Sequence, residues 1–348
     1  MNRLSIKILV DSLLLGIFFV ICLGLGYAVL NRFDPVLLNA LDDANLYGEM
    51  VKHGISSWNQ EIDNPVIRNR VLVPYLAQII YLKIPAIGSF NMVNFSLLVV
   101  NSFFTALSAM MILKMCYKIT ENFEYSIVAS MFFLLNFNII NFYLVGYVDS
   151  AYGFVFLLLI YCLQFNKWGL LPFIAIAGCL IKEVFLPVAS SLILGWLAYD
   201  CYMQKKIAPM NLITFILFVA TGIIALISID TYINKSSIYL YWENILSVTN
   251  SVSVEFNTSS LVSDLVRFIF TLGWIIILAI PSLKKLPQNI VFSTAFACLV
   301  AVFLGWWVGV GGADYARFMF VPGAFLFSVA SAISLSELLK KYSSFVRN

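Results

Sequence analysis

The residues best suited to chemistry in this chain are charged groups set where charge is costly. They fall in five short stretches. Asp42-Asp43-Ala-Asn-Leu-Tyr47 places an acid and a tyrosine four residues apart, on one face if helical. Arg68 and Arg70 follow in Asn64-Pro-Val-Ile-Arg-Asn-Arg70. Asp149 is a lone carboxylate in Gly146-Tyr-Val-Asp-Ser150, and Lys182-Glu183 interrupts an apolar run over 169–199. Asp314 and Arg317 lie in Gly311-Gly-Ala-Asp-Tyr-Ala-Arg317. Carboxylates at such sites can move protons or hold hydroxyls, and arginine and lysine can meet an anion. Four of the stretches also have a plainer reading: a solvated loop acid at 42–43, a helix N-cap at Asp149, an internal ion pair at 182–183, and a snorkelling arginine at 317. Their joint occurrence is harder to dismiss, because ionisable groups near membrane depth are expensive and by default functional candidates.

The elements that must position these groups are membrane helices. Of the 348 residues, 61% are hydrophobic and only 11% charged, with a mean hydropathy of +0.94. Soluble domains carry about 25% charged residues, so this chain cannot cover a water-facing surface. The same composition excludes a disordered chain, a nucleic-acid binder and a disulfide scaffold. Apolar runs of roughly 20 residues exclude a β-barrel and fit bilayer-crossing helices. The expected fold is all-α, a polytopic transmembrane bundle of about ten spans in one domain over 1–348. The runs are Ile8–Leu30, Phe90–Met115, Tyr125–Tyr143, Ser150–Phe165, Gly169–Ile181, Val184–Tyr199, Met210–Asp230, Leu265–Pro281, Ile290–Val308 and Phe318–Leu338. Residues 31–70 read as a first outer loop and 231–264 as a second. Residues 71–85 read as an interfacial helix, with Pro74 and Pro85 at its ends.

Charge orients the bundle. With the N-terminus in the cytoplasm, the inner loops receive Lys114, Lys118, Lys167, Lys205, Lys206, Lys284 and Lys285, and the acids gather outside. The positive-inside rule asks for this, and it holds only if 169–199 is a hairpin broken at Lys182-Glu183. Both termini are then cytoplasmic, and all five stretches face outward. The six cysteines stand singly in apolar runs and read as packing residues, and a single histidine, His53, argues against an imidazole metal site. Gly309-Val-Gly-Gly312 lacks the strand–helix setting of a dinucleotide loop.

An Asp-x-x-x-Tyr just after the first span resembles the integral-membrane glycosyltransferases of the GT-C superfamily. Further segments resemble a bacterial branch of that group. Asn64-Pro65-Val-Ile-Arg68-Asn-Arg70-Val-Leu-Val-Pro74 is similar to its Pro-aromatic-x-x-Arg-x-Leu-x-Pro run. Tyr147-Val-Asp149 is similar to its acidic turn between the third and fourth spans. Ile181-Lys-Glu183 is similar to its basic-acidic pair, and Arg317 with Pro322 to its late Arg-then-Pro signature. Val66 and Ile67 depart from the family's aromatics, and acceptor recognition by the soluble C-terminal domain that some members carry is not expected from these residues.

The resemblance implies sugar transfer from a polyprenyl-phosphate donor to a glycan or lipid acceptor on the extracytoplasmic face of a bacterial inner membrane. Asp43 is then the expected general base, with Asp42 next. Arg317, Lys182 and Arg68 or Arg70 would stabilise the departing phosphate. Tyr47, Asp149, Glu183 and Asp314 would complete the substrate site. Oxygen ligands would suit Mg²⁺ or Mn²⁺, but nothing in the sequence demands a metal. Membrane lipids are expected partners and nucleic acid is not. Three alternatives stand beside this reading: a glycan polymerase or ligase, a secondary transporter and a non-enzymatic assembly subunit.

Overall fold

Proline, asparagine and glycine set several of the helix boundaries that matter for the charged groups. Asn91 caps its helix by accepting from the backbone N–H of Val93 at 3.1 Å, and Asn122 caps the next by accepting from Tyr125 at 3.1 Å. The computed structural model describes residues 3–32, 42–54, 69–85, 91–144, 146–205, 208–234, 258–307 and 313–347. Among the described residues all regular structure is helical. The α-helices are α1 (Arg3–Arg32), α2 (Asp42–His53), α3 (Leu72–Lys83), α4 (Met92–Thr120), α5 (Phe123–Leu134), α6 (Asp149–Gln164) and α7 (Leu171–Ile181). They continue with α8 (Phe185–Gln204), α9 (Pro209–Asn234), α10 (Thr258–Phe268), α11 (Trp274–Ala279), α12 (Gln288–Trp307) and α13 (Ala313–Arg347). π turns occupy Ile139–Tyr143 and Ile269–Gly273.

Seven helical segments among the described residues are long and apolar enough to cross a membrane: Ile8–Ala28, Met92–Thr120, Phe185–Met203, Pro209–Ile233, Leu265–Lys285, Gln288–Trp306 and Tyr315–Ser343. Four shorter apolar helices accompany them: Leu72–Lys83, Phe123–Leu134, Asp149–Gln164 and Trp168–Ile181. The chain is a helical membrane protein. α4 and α13 are its most buried long helices. Small residues let neighbours approach α13 closely, among them Ala316, Ala324, Ala330 and Ala332. Some hydroxyls in these helices bond to backbone carbonyls: Ser108 donates to the Phe104 carbonyl at 2.9 Å, and Ser331 crosses to the Ile275 carbonyl at 2.8 Å, whereas those of Ser102 and Ser328 are buried with no hydrogen-bond partner among the described residues. α1 and α9 are mostly unburied and turn apolar side chains outward, such as Leu13, Val20, Ile216 and Ile224.

Three boundaries differ from the sequence expectation. The first outer loop, 31–70, contains α2, because Leu46, Tyr47, Met50 and Val51 form an apolar helical stripe that packs inward. The run Tyr125–Tyr143 is not one helix: α5 stops at Leu134, and the Asn136 side chain accepts from the Asn138 backbone N–H at 2.9 Å before the π turn. In the second outer loop, 231–264, α9 extends to Asn234 and α10 begins at Thr258. The remainder, 235–257, lies outside the described residues. The helix expected over 71–85 is α3, with Pro74 in its first turn and Pro85 just past its end.

Polar contacts sort the helix ends into two groups. At one end lie Asp149 of α6, the α7–α8 junction, Arg317 of α13 and the segment before α3. At the other, Lys114 pairs with Asp11 at 2.8 Å, Lys340 donates to the Tyr125 hydroxyl at 2.8 Å, and Lys285 pairs with Glu337. α6 runs from the first end to the second, and α7 returns. α8 then runs back, so that its Trp196 lines a cavity with Gln164, the last residue of α6. Residues 169–199 are therefore antiparallel in direction, with Lys182-Glu183 at the turn.

Candidate functional site

The turn at 182–183 has a local cause. Pro187 falls in the first turn of α8, where its missing N–H is harmless. A helix continued from α7 would drive the proline ring into the carbonyl four residues earlier. α7 therefore ends at Ile181, and Lys182 takes an extended backbone, φ −160° and ψ 128°. The break sends two adjacent charged side chains to different partners.

Lys182 points to Asp149, donating to Oδ1 at 2.9 Å. Arg317 donates from Nε to Oδ2 of the same carboxylate at 2.9 Å, and its Nη2 binds that oxygen as well. One carboxylate thus holds two cations, and its side chain is 1% exposed, against 7% for Lys182 and 13% for Arg317. Asp149 is the first residue of α6, where the helix dipole favours negative charge. The preceding turn is fixed twice over. Gly146 has φ +96°, a conformation that side chains resist. Asn101 of α4 donates to the Tyr147 carbonyl at 2.9 Å and accepts from the Ser150 hydroxyl at 2.5 Å. The Arg317 guanidinium lies 4.7 Å from the Tyr147 ring centroid and 5.1 Å from that of Phe142.

Glu183 faces the other way. Arg70 grips it with two parallel bonds, Nε to Oε2 at 3.0 Å and Nη2 to Oε1 at 2.6 Å. The remaining Arg70 nitrogen, Nη1, donates to the Tyr47 hydroxyl at 2.9 Å. Burial alone would push the Glu183 carboxyl up, but the Arg70 charge outweighs it and holds the group below the ordinary carboxylate range. The neighbouring Asn69 donates to Asp230 at the end of α9, at 3.3 Å.

Tyr47, Arg70, Asp149, Lys182, Glu183 and Arg317 are therefore brought to one end of the bundle by α2, the segment before α3, α6, the α7–α8 turn and α13. The backbones of Asp42 and Asp43 form the first turn of α2, and that of Asp314 lies in the first turn of α13. Their side chains, and Arg68 altogether, lie outside the described residues. Asp43 stands one turn before Tyr47, about 6 Å along the helix axis. The groups that sequence reasoning missed are neutral or aromatic: Asn101, Ser150 and Phe142. Only Asn101, an amide inside a long apolar run, carried a visible signal. Asp230 was legible as an acid closing an apolar run, but nothing marked Asn69 as its partner.

The described carboxylates do not suit a divalent metal. Both Asp149 oxygens are taken by cations and both Glu183 oxygens by Arg70, and no group of three His, Cys, Asp or Glu among the described residues could hold one. The arrangement can instead fix two guanidinium groups in place at a partly exposed edge. The sequence matches no family model and no curated protein.

Proposed function

We propose that the chain is a GT-C-type membrane glycosyltransferase that moves a sugar from a polyprenyl-phosphate donor to a glycan or lipid hydroxyl. The observation that carries the reading is the Asp149 clamp on Arg317 and Lys182 beside the Arg70–Glu183–Tyr47 group, assembled from five distant stretches. In the reaction, the bond between the anomeric carbon and the phosphate oxygen breaks as the acceptor oxygen bonds to that carbon. Negative charge grows on the departing phosphate, and Arg317 and Arg70 stabilise it. Asp43 takes the acceptor proton. Asp149 and Glu183 position the arginines, which accounts for their saturated oxygens better than direct sugar binding does. In this reading the three short helices within the bundle, α5, α6 and α7, also cross the bilayer. That gives ten crossings, cytoplasmic termini and an active site on the outer face of a bacterial inner membrane.

One observation favours a second reading. A buried lysine at a helix break, paired with a buried aspartate, is also found in secondary transporters. A single set of variants separates the two. In purified protein with a polyprenyl-phosphate sugar, Asp43→Asn and Arg317→Gln should each lower transfer by at least about 100-fold, the cost of losing a general base in the first and a charge-stabilising group in the second. Full transfer by both would end the glycosyltransferase assignment. Solute uptake into sealed vesicles that disappears in Lys182→Met would establish the transporter in its place.

A further inference from the structure

The break after α5 sets a strip of aromatic rings beside Arg317. Past Leu134 the side chains alternate: Asn136 and Asn138 are buried, whereas Leu135 is 53% and Phe137 41% exposed. The π turn then carries Phe142, whose ring centroid lies 6.3 Å from that of Phe137 and 6.3 Å from that of Tyr147. Phe142 and Tyr147 are half-buried, and both rings flank the Arg317 guanidinium, at 5.1 and 4.7 Å. Rings thus follow one another from the guanidinium to the outside of the bundle. Depth fixes what that outside is. Lys340 meets the Tyr125 hydroxyl near the start of α5, at the lysine end. From Tyr125 to Phe137 the chain climbs at most about 18 Å, which leaves Phe137 inside a hydrocarbon layer about 30 Å thick. Leu135 and Phe137 therefore meet lipid chains rather than water.

Arg317 calls for an anion, and the rings call for an apolar chain attached to it. Spacing decides the kind of lipid. Phe142 packs against the guanidinium, so hydrocarbon must begin at the phosphate ester itself. A glycerophospholipid places ester carbonyls there, which would lose hydrogen bonds against a phenyl ring. In a prenyl phosphate the branched hydrocarbon starts on the phosphate oxygen. We propose that Phe142 and Phe137 form the docking surface for the isoprenoid chain of a prenyl phosphate, with the first isoprene against Phe142 and the next against Phe137. The lipid enters sideways from the bilayer, past the break after α5. This route rests on the polyprenyl-phosphate donor proposed above and fixes the side on which that donor enters.

Equilibrium binding of radiolabelled geranylgeranyl phosphate to the purified full-length protein tests this. The wild type should bind it saturably, and Arg317→Gln should weaken binding by roughly tenfold, the loss of a charge-assisted contact. Phe142→Ala should weaken it about fivefold. Phe137→Ala should do the same, and its exposed position keeps the test intact if the Phe142 variant does not fold. Phe137→Ala should leave dimethylallyl phosphate, which has a single isoprene, unaffected. With p-benzoylphenylalanine at position 137, light should attach the prenyl phosphate covalently, and excess unlabelled ligand should prevent it. The same group at position 173, where Phe173 is 69% exposed on α7, should capture none saturably. Dioleoyl phosphatidic acid should compete at least roughly tenfold less well. Binding that survives both phenylalanine variants, with no capture at position 137, overturns the route and leaves the donor class standing. No binding by the wild type removes the donor class and the route together. Equal competition by phosphatidic acid, or a Phe137→Ala loss that dimethylallyl phosphate shares, also overturns the route.

Discussion

At the scale of single residues, the two carboxylates at the α7–α8 end differ in what they do for their cations. Asp149 is shared by two cations, whereas Glu183 serves one arginine through both oxygens. Breaking a buried pair leaves an uncompensated charge, which costs about 3–5 kcal/mol when burial is complete. Glu183 is 16% exposed and Arg70 keeps the Tyr47 hydroxyl, so Glu183→Gln should cost less, up to about 3 kcal/mol. The sign with pH follows from the depressed carboxyl. Its stabilisation is complete above the ordinary carboxylate range and is lost as pH falls through the lower value of the folded protein. Unfolding midpoints in detergent should therefore separate wild type from Glu183→Gln by a constant gap between about pH 6 and 8. The gap should close in acid below the ordinary range. A gap that persists unchanged down to pH 3 would show that the Arg70 pair is not its source. The charged members of this network were legible in the sequence because charge in an apolar run is conspicuous. Which carboxylate each cation chooses was not, since Lys182 and Glu183 are neighbours in sequence and diverge only because the backbone breaks between them.

Helices carry these residues, and their irregularities do the positioning. The π turn at Ile139–Tyr143 delivers the Tyr143 ring against Gly153 of α6, one turn past Asp149. A Cβ at position 153 would collide with the Tyr143 ring and hydroxyl. That hydroxyl is buried without a hydrogen-bond partner among the described residues. Gly153→Ala should thus overpack the contact and cost about 1–3 kcal/mol. Tyr143→Phe removes an unsatisfied group and should be neutral or stabilising by up to about 1 kcal/mol. Combined, the two should recover part of the loss, because the hydroxyl is among the atoms a new methyl meets. Simple additivity in a double-mutant cycle would refute the contact. Hydrophobic runs indicated that a helix occupies each apolar stretch, but not where it breaks. Composition is nearly uniform along Tyr125–Tyr143, and the interruption depends on Asn136 bonding its own neighbourhood. α2 was hidden for a different reason. Its stripe of Leu46, Tyr47, Met50 and Val51 sits among charges that lower the average hydropathy of the segment, so periodicity rather than mean composition was the usable signal.

Taken as a whole, the molecule is polarised along the bundle axis. Acid–arginine clamps hold one end, and lysines with a cavity line the other, about 24 Å away along α6. Such asymmetry has a consequence for insertion: the lysine end should stay in the cytoplasm. Cysteine chemistry reads this directly, because five of the six native cysteines are buried and Cys201, late in α8 at the lysine end, is exposed. In intact cells a membrane-impermeant maleimide should leave Cys201 unmodified, and opening the membrane should make it reactive. Lys52→Cys, placed in a Cys201→Ser background on α2 near the clamps, should show the reverse and label from outside; Lys52 is 44% exposed. Labelling of Cys201 in intact cells together with protection at position 52 would invert the bundle. The clamps would then face the cytoplasm, and a donor presented on the outer leaflet could not reach Arg317.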